Sequence, residues 1–333
     1  MSKNNSCHSE ERSDVRIFLL YNNLMEINKK RFNDLDSFLK RKFNKKILKL
    51  PLDGGFTCPN RDGTKSYDAC IYCSARGSGE WTMARENSIR EQISYQKERL
   101  RKAGRDEAYI AYFQNFTNTY GEVSYMRKIF MEAIAEDDVV GLAIATRADC
   151  LNDSVLELLE DLSKKTFLIV ELGMQSVNEN TISFINRGYS HEEFDKSLAK
   201  LEKMGINILV HIIVGLPYET NEDYMNDVSY INSKKIWGVK IHNLYVEKHT
   251  TLLNFYDKEG LSYAMTKDTY VGIVVEMLRR MKKSLVINRL TGDGLRDEIV
   301  FPAWSKNKAA ILSSIDKVMK ENDFRQGDLC QED

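Results

Sequence analysis

The strongest constraint on how this chain folds is a repeated alternation. Short apolar or β-branched runs recur at 47–50, 108–113, 139–145, 167–172, 206–214 and 238–246, with amphipathic, capped stretches at 88–102, 123–135, 154–163, 191–204 and 221–233 between them. Strands that alternate with helices connect by right-handed crossovers, so the runs read as parallel strands with helices outside. The expected fold is α/β, a partial (β/α)6 TIM-type barrel. A closed eight-stranded barrel needs two more such units, and the sequence past Leu252 does not clearly supply them. The organisation then reads as an N-terminal polar tail and basic helix over 1–44, the partial barrel over 45–252, and a C-terminal helical extension over 253–333 that closes the barrel.

At 333 residues and 42% hydrophobic, the chain can bury a full core. No apolar run approaches transmembrane length, so a soluble protein with no membrane partner is expected. Lys plus Arg total 48 against 49 acids, which gives no global nucleic-acid signal. Locally, Lys29, Lys30, Arg31, Lys40, Arg41, Lys42, Lys45, Lys46 and Lys49 crowd one stretch opposed only by Asp34 and Asp36. A solvated helix face is the plainer reading of it, and a phosphate-binding patch the alternative.

Cys58, Cys70 and Cys73 share one Gly-rich loop, PLDGGFTCPNRDGTKSYDACIYC. Six cysteines in the chain are sparse, and the charged N-terminus carries no apolar leader, so a reducing, cytoplasmic setting is expected and disulfides are disfavoured. Three thiolates suit a [4Fe-4S] cube with one iron left open to bind a small molecule. Zinc is the rival for the Cys70-x-x-Cys73 knuckle, but it prefers four ligands, and no second CxxC or nearby His completes a tetrahedron. Cys7, His8, Cys150 and Cys330 are scattered, and both metals remain open on pattern alone.

Polar residues gather where the strands end, the face on which parallel α/β folds build active sites. The second strand leads into Gln114 to Tyr120, the third into Thr146 to Asp149, the fourth into Glu171 to Ser176 and the fifth into Gly215 to Thr220, while the sixth carries Lys240, His242 and Glu247. Turn and cap chemistry accounts for any one of these segments, but not for their recurrence at successive strand ends.

The cysteine loop with CIYC, the FTNTY segment, the ELGMQS strand end, Asn186-Arg187-Gly188 and GLPYET resemble a radical S-adenosylmethionine (SAM) enzyme of the Elongator-like branch. The spacing from Cys58 to Cys70, with KIHNLYVEKHTTL, NRLTGD and the segment 302–304, is similar to the YhcC/YtqA-like family. The resemblance runs over 31–315. It implies that Cys58, Cys70 and Cys73 ligate a [4Fe-4S] cluster whose fourth iron is chelated by SAM. Tyr72 would lie near the adenine, and Thr117, Asn118 and Thr119 stand where the superfamily has a GGE-like amine-binding segment. Glu171, Gln175 and Ser176 would reach the ribose or substrate. Arg187 would pair with the methionine carboxylate, a role its planar fork suits. Gly215, Leu216 and Pro217 would let the backbone approach the adenine.

The implied chemistry is one-electron cleavage of SAM, followed by hydrogen abstraction from a substrate carbon, with a flavodoxin or ferredoxin as reductant. Sulfur insertion, acetyl transfer and cobalamin chemistry are disfavoured, because the additional cysteines or domains they need are not visible. One branch of the family points to tRNA, at the wobble uridine 5-substituent, where a carboxymethylaminomethyl arm goes toward aminomethyl. Arg279, Arg280, Lys282 and Lys283, with Arg289, Arg296 and the N-terminal basic stretch, would track phosphates, although Lys282 and Lys283 also suit a helix C-terminus. His242, as a proton donor or acceptor near neutral pH, and Asp293, closing the barrel mouth, are the candidate catalytic residues. Cys150 reads better as a buried apolar thiol than as a chamber residue. A radical SAM enzyme of a small metabolite and a zinc-stabilised nucleic-acid-binding module are the alternatives.

Overall fold

The computed structural model describes residues 30–102, 106–260 and 264–330. Lys29, Cys7 and His8 lie outside the described residues. The chain enters through α1 (Leu35–Phe43), whose N-cap Asp34 accepts from the Ser37 amide. Then come β1 (Lys46–Leu52), α2 (Ile89–Leu100), β2 (Glu107–Phe113), α3 (Val123–Ile134), β3 (Val139–Thr146), α4 (Asp153–Ser163) and β4 (Phe167–Gln175). They are followed by α5 (Glu179–Phe184), α6 (His191–Lys203), β5 (Asn207–Val214), α7 (Asn221–Ser233) and β6 (Gly238–Asn243). The C-terminal part adds β7 (Val246–Glu247), α8 (Thr251–Glu259), α9 (Lys267–Arg280), β8 (Val286–Arg289), β9 (Ile299–Phe301) and α10 (Lys308–Glu321).

Seven parallel strands, in the order β1-β2-β3-β4-β5-β6-β8, form a curled half-barrel with helices outside. The expected six strands are present, and β8 extends them by one, pairing Gly238 with Val286 and Lys240 with Arg289. The sixth apolar run also divides: β6 ends at Asn243, and Val246 and Glu247 leave the sheet to pair antiparallel with β9.

Strand alternation sorts side chains to two faces. Leu50, Phe113, Ile144, Val170, Val210 and Ile241 face outward and pack with Ile93, Phe130, Leu158, Leu198 and Val274 of the helices. Ile47, Ile110, Ala143, Ile169 and Leu209 face inward, and Leu39 of α1 seals them at the N-terminal end of the strands. Phe38 of α1 stacks against Phe167 and meets Trp237 edge-on at 5.2 Å, so α1 plugs the lower end of the half-barrel. The upper end stays open. No helix among the described residues is long and apolar enough to cross a membrane.

Candidate active site

A cavity of about 210 Å³ occupies that upper end, lined by the C-terminal parts of the strands and the loops that follow. Cys58, Cys70 and Cys73 form one wall, all half-buried and free of disulfides. Their loop is tied down by side chains, not by secondary structure. Asn60 Nδ2 donates to the carbonyls of Asn186 (2.6 Å) and Arg187 (3.2 Å) and lies 3.7 Å from Cys70 Sγ. Arg61 donates to the carbonyls of Ser74 (2.5 Å) and Cys73 (3.2 Å), and Arg147 reaches to 4.0 Å from Cys58 Sγ. Burial and the neighbouring thiols push Cys70 up to about 12, and burial also raises Cys73, so these sulfurs need a metal to be held as thiolates.

Among the described residues, no three His, Cys, Asp or Glu side chains converge as ligands of a single metal ion. Zinc needs its sulfurs together, each about 2.3 Å from one centre. A cube spreads its cysteines over separate irons, so three cysteines on one wall, with N–H donors beside two of the sulfurs, fit a [4Fe-4S] cluster.

Of the other residues singled out in the sequence, Tyr72, Thr117, Glu171, Gln175, Arg187, His242 and Asp293 line this cavity. Gln175 sits at φ +60° where β4 shifts register. Arg187 is buried, donates to the carbonyls of Met174 (2.6 Å) and Tyr189 (3.1 Å), and stacks on the Tyr189 ring at 4.3 Å. Its Nη2 is buried with no hydrogen-bond partner among the described residues.

The structure corrects the placement of six others, which do not line the cavity. Asn118 spends its amide on the carbonyls of Phe113, Asn115 and Ala145, pinning the ends of β2 and β3 together. Thr119 pairs with Thr146 (2.5 Å) and donates to the Cys150 carbonyl (2.7 Å). Ser176 is buried and accepts from the Asn178 amide. Gly215, at φ +103°, lines a separate, largely apolar pocket with Leu244, Val246 and Tyr256, while Leu216 packs in the same cluster and Pro217 is buried beside it. Cys150 does not line the cavity either, and burial pushes its thiol up to about 12.

Beneath the cysteine wall lies a charged floor. Glu171, fully buried on β4, is met by Lys240 of β6 at 2.5 Å, by His211 of β5 at 2.8 Å and by Lys49 of β1. Burial alone would raise the Glu171 carboxyl, but Lys240 and Lys49 hold it well below the usual range. Burial pushes Lys240 down to about 7 and His211 to about 4. Tyr112 of β2 accepts from Lys240 at 3.1 Å, and its ring faces both ammonium groups, at 4.5 Å from Lys49 and 4.9 Å from Lys240. His242 stands 5.6 Å from His211, ring to ring. Burial, with Arg289 and His211 nearby, holds His242 well below its ordinary value, so it is neutral at pH 7 and does not titrate near neutrality as expected.

The rim is built by the C-terminal segment. Asp293 pairs with Arg289 (3.2 Å) and with Lys308 at the start of α10, and its carbonyl accepts from the Trp81 indole at 3.2 Å. Three segments therefore meet at Asp293 over the cavity mouth. The basic clusters are elsewhere. The last turn of α1 and the end of α9 sit at the N-terminal end of the strands, where α1 plugs the half-barrel and β8 begins. Arg279 pairs with Asp328 and stacks on Phe324 at 3.7 Å, and Arg280 pairs with Glu276. Those guanidinium groups already make tertiary contacts at the end of the half-barrel away from the cavity.

The sequence and fold that build this cavity have counterparts among known proteins. Residues 57–231 match the family model for the Radical SAM superfamily and residues 236–321 that for the Radical_SAM C-terminal domain, and the chain belongs to this superfamily of enzymes. It is 39% identical to YtqA of Bacillus subtilis (strain 168) over 302 residues, 91% of this chain and 94% of YtqA. Protein YhcC of Escherichia coli (strain K12) is 29% identical over 285 residues, 85% of this chain and 91% of YhcC. The fold is similar to that of Elp3 from the archaeon Methanocaldococcus infernus, with a TM-score of 0.62 at 18% identity over 84% of this chain and 64% of that one. Membership of the superfamily implies a [4Fe-4S] cluster and SAM, and it removes the zinc-stabilised binding module as a reading.

His211, Tyr112, Tyr189 and Asn60 are site residues that the sequence reading passes over, and Lys49 enters it only as part of a basic stretch. A signal was present for two of them. Lys49 in KILKLPL and His211 in NILVHIIV each interrupt an apolar strand on the inward alternation, as Lys240 does in GVKIHN.

Proposed function

We propose that the substrate is a tRNA whose wobble uridine carries a carboxymethylaminomethyl arm, and that the enzyme takes that arm toward aminomethyl. The cluster and SAM, when bound, supply a one-electron cleavage that yields a hydrogen-abstracting 5′-deoxyadenosyl radical. The chain's own residues would do the rest. Cys58, Cys70 and Cys73 hold the cluster, Arg187 offers its free Nη2 to the methionine carboxylate, and Tyr72 and Gln175 flank the space between wall and floor. Abstraction at the carbon between the arm's amine and its carboxylate would give a radical stabilised by nitrogen; loss of one further electron to a one-electron acceptor of the flavodoxin or ferredoxin class, with a proton, would leave an imine, and water would hydrolyse it to the aminomethyl arm and a two-carbon oxo acid. Lys240, which lines one side of the cavity and is pushed by burial to about 7, is placed to move a proton there.

The observation that carries an RNA substrate is Trp81. It is 41% exposed and follows Glu80, which lines the cavity; its indole N–H donates to the carbonyl of Asp293, another lining residue, its own carbonyl accepts from Gln96 at 2.9 Å, and Arg99 lies 5.9 Å from its ring. A rigid, open aromatic beside an active-site mouth is a platform on which a base stacks. A low-potential flavodoxin or ferredoxin is the proposed reductant.

The test is mass spectrometry of the modified nucleosides of total tRNA from a strain lacking the gene, complemented with wild type or with the triple Cys58→Ala, Cys70→Ala, Cys73→Ala variant. Accumulated carboxymethylaminomethyl-uridine, cleared only by wild type, is the expected result. An unchanged profile rejects the tRNA substrate.

A further inference from the structure

Around Glu171 the cavity floor carries more positive than negative charge, because Lys49 and Lys240 share its one carboxylate. At the rim Arg289 and Lys308 share the one carboxylate of Asp293, and the cavity's other carboxylates, Glu80 and Glu247, lie in the loop after the cysteines and on β7, outside the seven-stranded sheet. The histidines do not alter the balance, because burial keeps His211 and His242 neutral. Lys240 and Arg289 are register partners on β6 and β8 and both line the cavity, so the surplus faces open space and not packed protein. Lys240 is 3% exposed, and a cation removed from water that far is costly unless an anion meets it. Glu171 meets it only in part, being fully buried and divided between two ammonium groups and an imidazole.

We infer that this floor is an anion subsite in which Lys240, flanked by Lys49 and Arg289, receives a carboxylate borne by the substrate's reacting arm. The identity of the arm rests on the tRNA reading above; the subsite itself does not. SAM would bring one carboxylate into this chamber, and the cysteine wall already presents the free Nη2 of Arg187 to it, which leaves the cationic floor for an anion of the substrate. The position is apt for the chemistry: a carboxylate anchored on the floor holds its adjacent carbon between Lys240 and the cysteine wall.

The experiment titrates sodium acetate, with the neutral isostere acetamide as control, into the anaerobically reconstituted enzyme and follows binding by ligand-observed NMR. SAM affinity is measured in parallel by equilibrium dialysis. Acetate is expected to bind where acetamide does not. Lys240→Met should weaken acetate about tenfold or more, the scale of one charge-assisted hydrogen bond, and Lys240→Arg should restore part of it. At about pH 5, where Lys240 keeps its proton, Glu171→Gln, which removes the competing carboxylate, should tighten acetate, and it decides the question if Lys240→Met does not fold. Absence of acetate binding, or equal binding by wild type, Lys240→Met and Glu171→Gln, overturns the subsite. Acetate that competes with SAM, with both affinities falling together in Lys240→Met, assigns the floor to the cofactor and overturns the substrate role.

Two anticodon stem-loop RNAs that differ only in carrying carboxymethylaminomethyl-uridine or aminomethyl-uridine complete the design. Wild type should prefer the carboxylated RNA, and Lys240→Met should lose the preference. If acetate binds and neither RNA does, the tRNA reading fails and the subsite stands. If both RNAs bind equally to wild type, the carboxylate assignment fails.

Discussion

Lys240 and Glu171 meet at 2.5 Å across the interior of the half-barrel, one from β6 and the other from β4, with neither side chain more than 3% exposed. Lys49 reaches the same carboxylate from β1, so Glu171 joins the first strand to the sixth through the barrel interior. Removing one partner of a buried pair leaves the other uncompensated, at roughly 3–5 kcal/mol. Glu171→Ala should therefore lower stability by about that much in urea unfolding. The double variant Glu171→Ala, Lys240→Met should recover a good part of the loss, since one stranded cation is then gone. A double variant no more stable than Glu171→Ala would show that the ion layer is not what Glu171 supports.

Binding of a carboxylate at the floor carries a definite pH dependence. Lys240 is pushed by burial to about 7, with Lys49 and Arg289 acting in the same direction and Glu171 against it; His211, His242 and Tyr112 complete its surroundings. An ammonium attracts the ligand and a neutral amine does not, so acetate affinity should be full below about pH 6 and fall as pH rises through about 7. Lys240→Arg stays charged throughout and should flatten the curve. Identical pH profiles for wild type and Lys240→Arg would exclude Lys240 as the titrating group.

Trp81 makes a separate prediction at the cavity mouth. Stacking of one base on an aromatic ring is worth about 1–3 kcal/mol, so Trp81→Ala should weaken stem-loop RNA binding by roughly tenfold to a hundredfold. Trp81→Phe keeps the ring and should retain most of the affinity. Equal losses in the two variants would point to the indole bond to Asp293 as the feature that matters, not the ring face.

Arg279 tests the relocation of the basic clusters. Its guanidinium stacks on Phe324 and bonds Asp328 at the end of the barrel away from the cavity. Arg279→Ala should cost about 1–2 kcal/mol of stability and leave both RNA affinity and its salt slope unchanged. A flatter salt slope in a folded variant would return Arg279 to the RNA interface.

The alternation of strands and helices was readable because each strand is a compact apolar run bounded by caps, and the outward faces of β2 to β6 must be apolar to receive the helices. β8 escaped that logic. VINR has only two apolar residues, and its place in the sheet is secured by the Lys240 to Arg289 register and by the bridge from Asp34 to Ile287, neither of which is local in sequence. The cysteine wall was legible for the opposite reason, since three ligands in one loop are a local pattern. The floor is assembled from one or two residues on each of six strands. Composition places Lys49 with a basic stretch, and only the inward alternation of β1 distinguishes it from Lys46, which is half-buried as well. Asn118 and Thr119 illustrate the converse. They stand at a strand end where function is expected, yet their side chains are consumed by backbone carbonyls and a neighbouring threonine.

Glu219, between β5 and α7, gives a stability prediction of known sign. Burial raises its carboxyl to about 7, with Asp223 repelling it, and Asp227 on α7 is raised well above its ordinary value by burial and by Glu219. A carboxyl whose folded value exceeds its unfolded value binds more protons in the folded state between the two. The stability it confers is complete below about pH 4.5 and is lost as pH rises through about 7. Glu219→Gln removes the ionisation and also relieves Asp227, so its benefit should be small at pH 5 and reach roughly 3 kcal/mol at pH 8. Thermal unfolding of wild type and variant at the two pH values measures this directly. A difference in Tm that does not grow between pH 5 and pH 8 would mean that Glu219 is already solvated and ionised in the folded protein, and that Asp227 alone carries the buried proton.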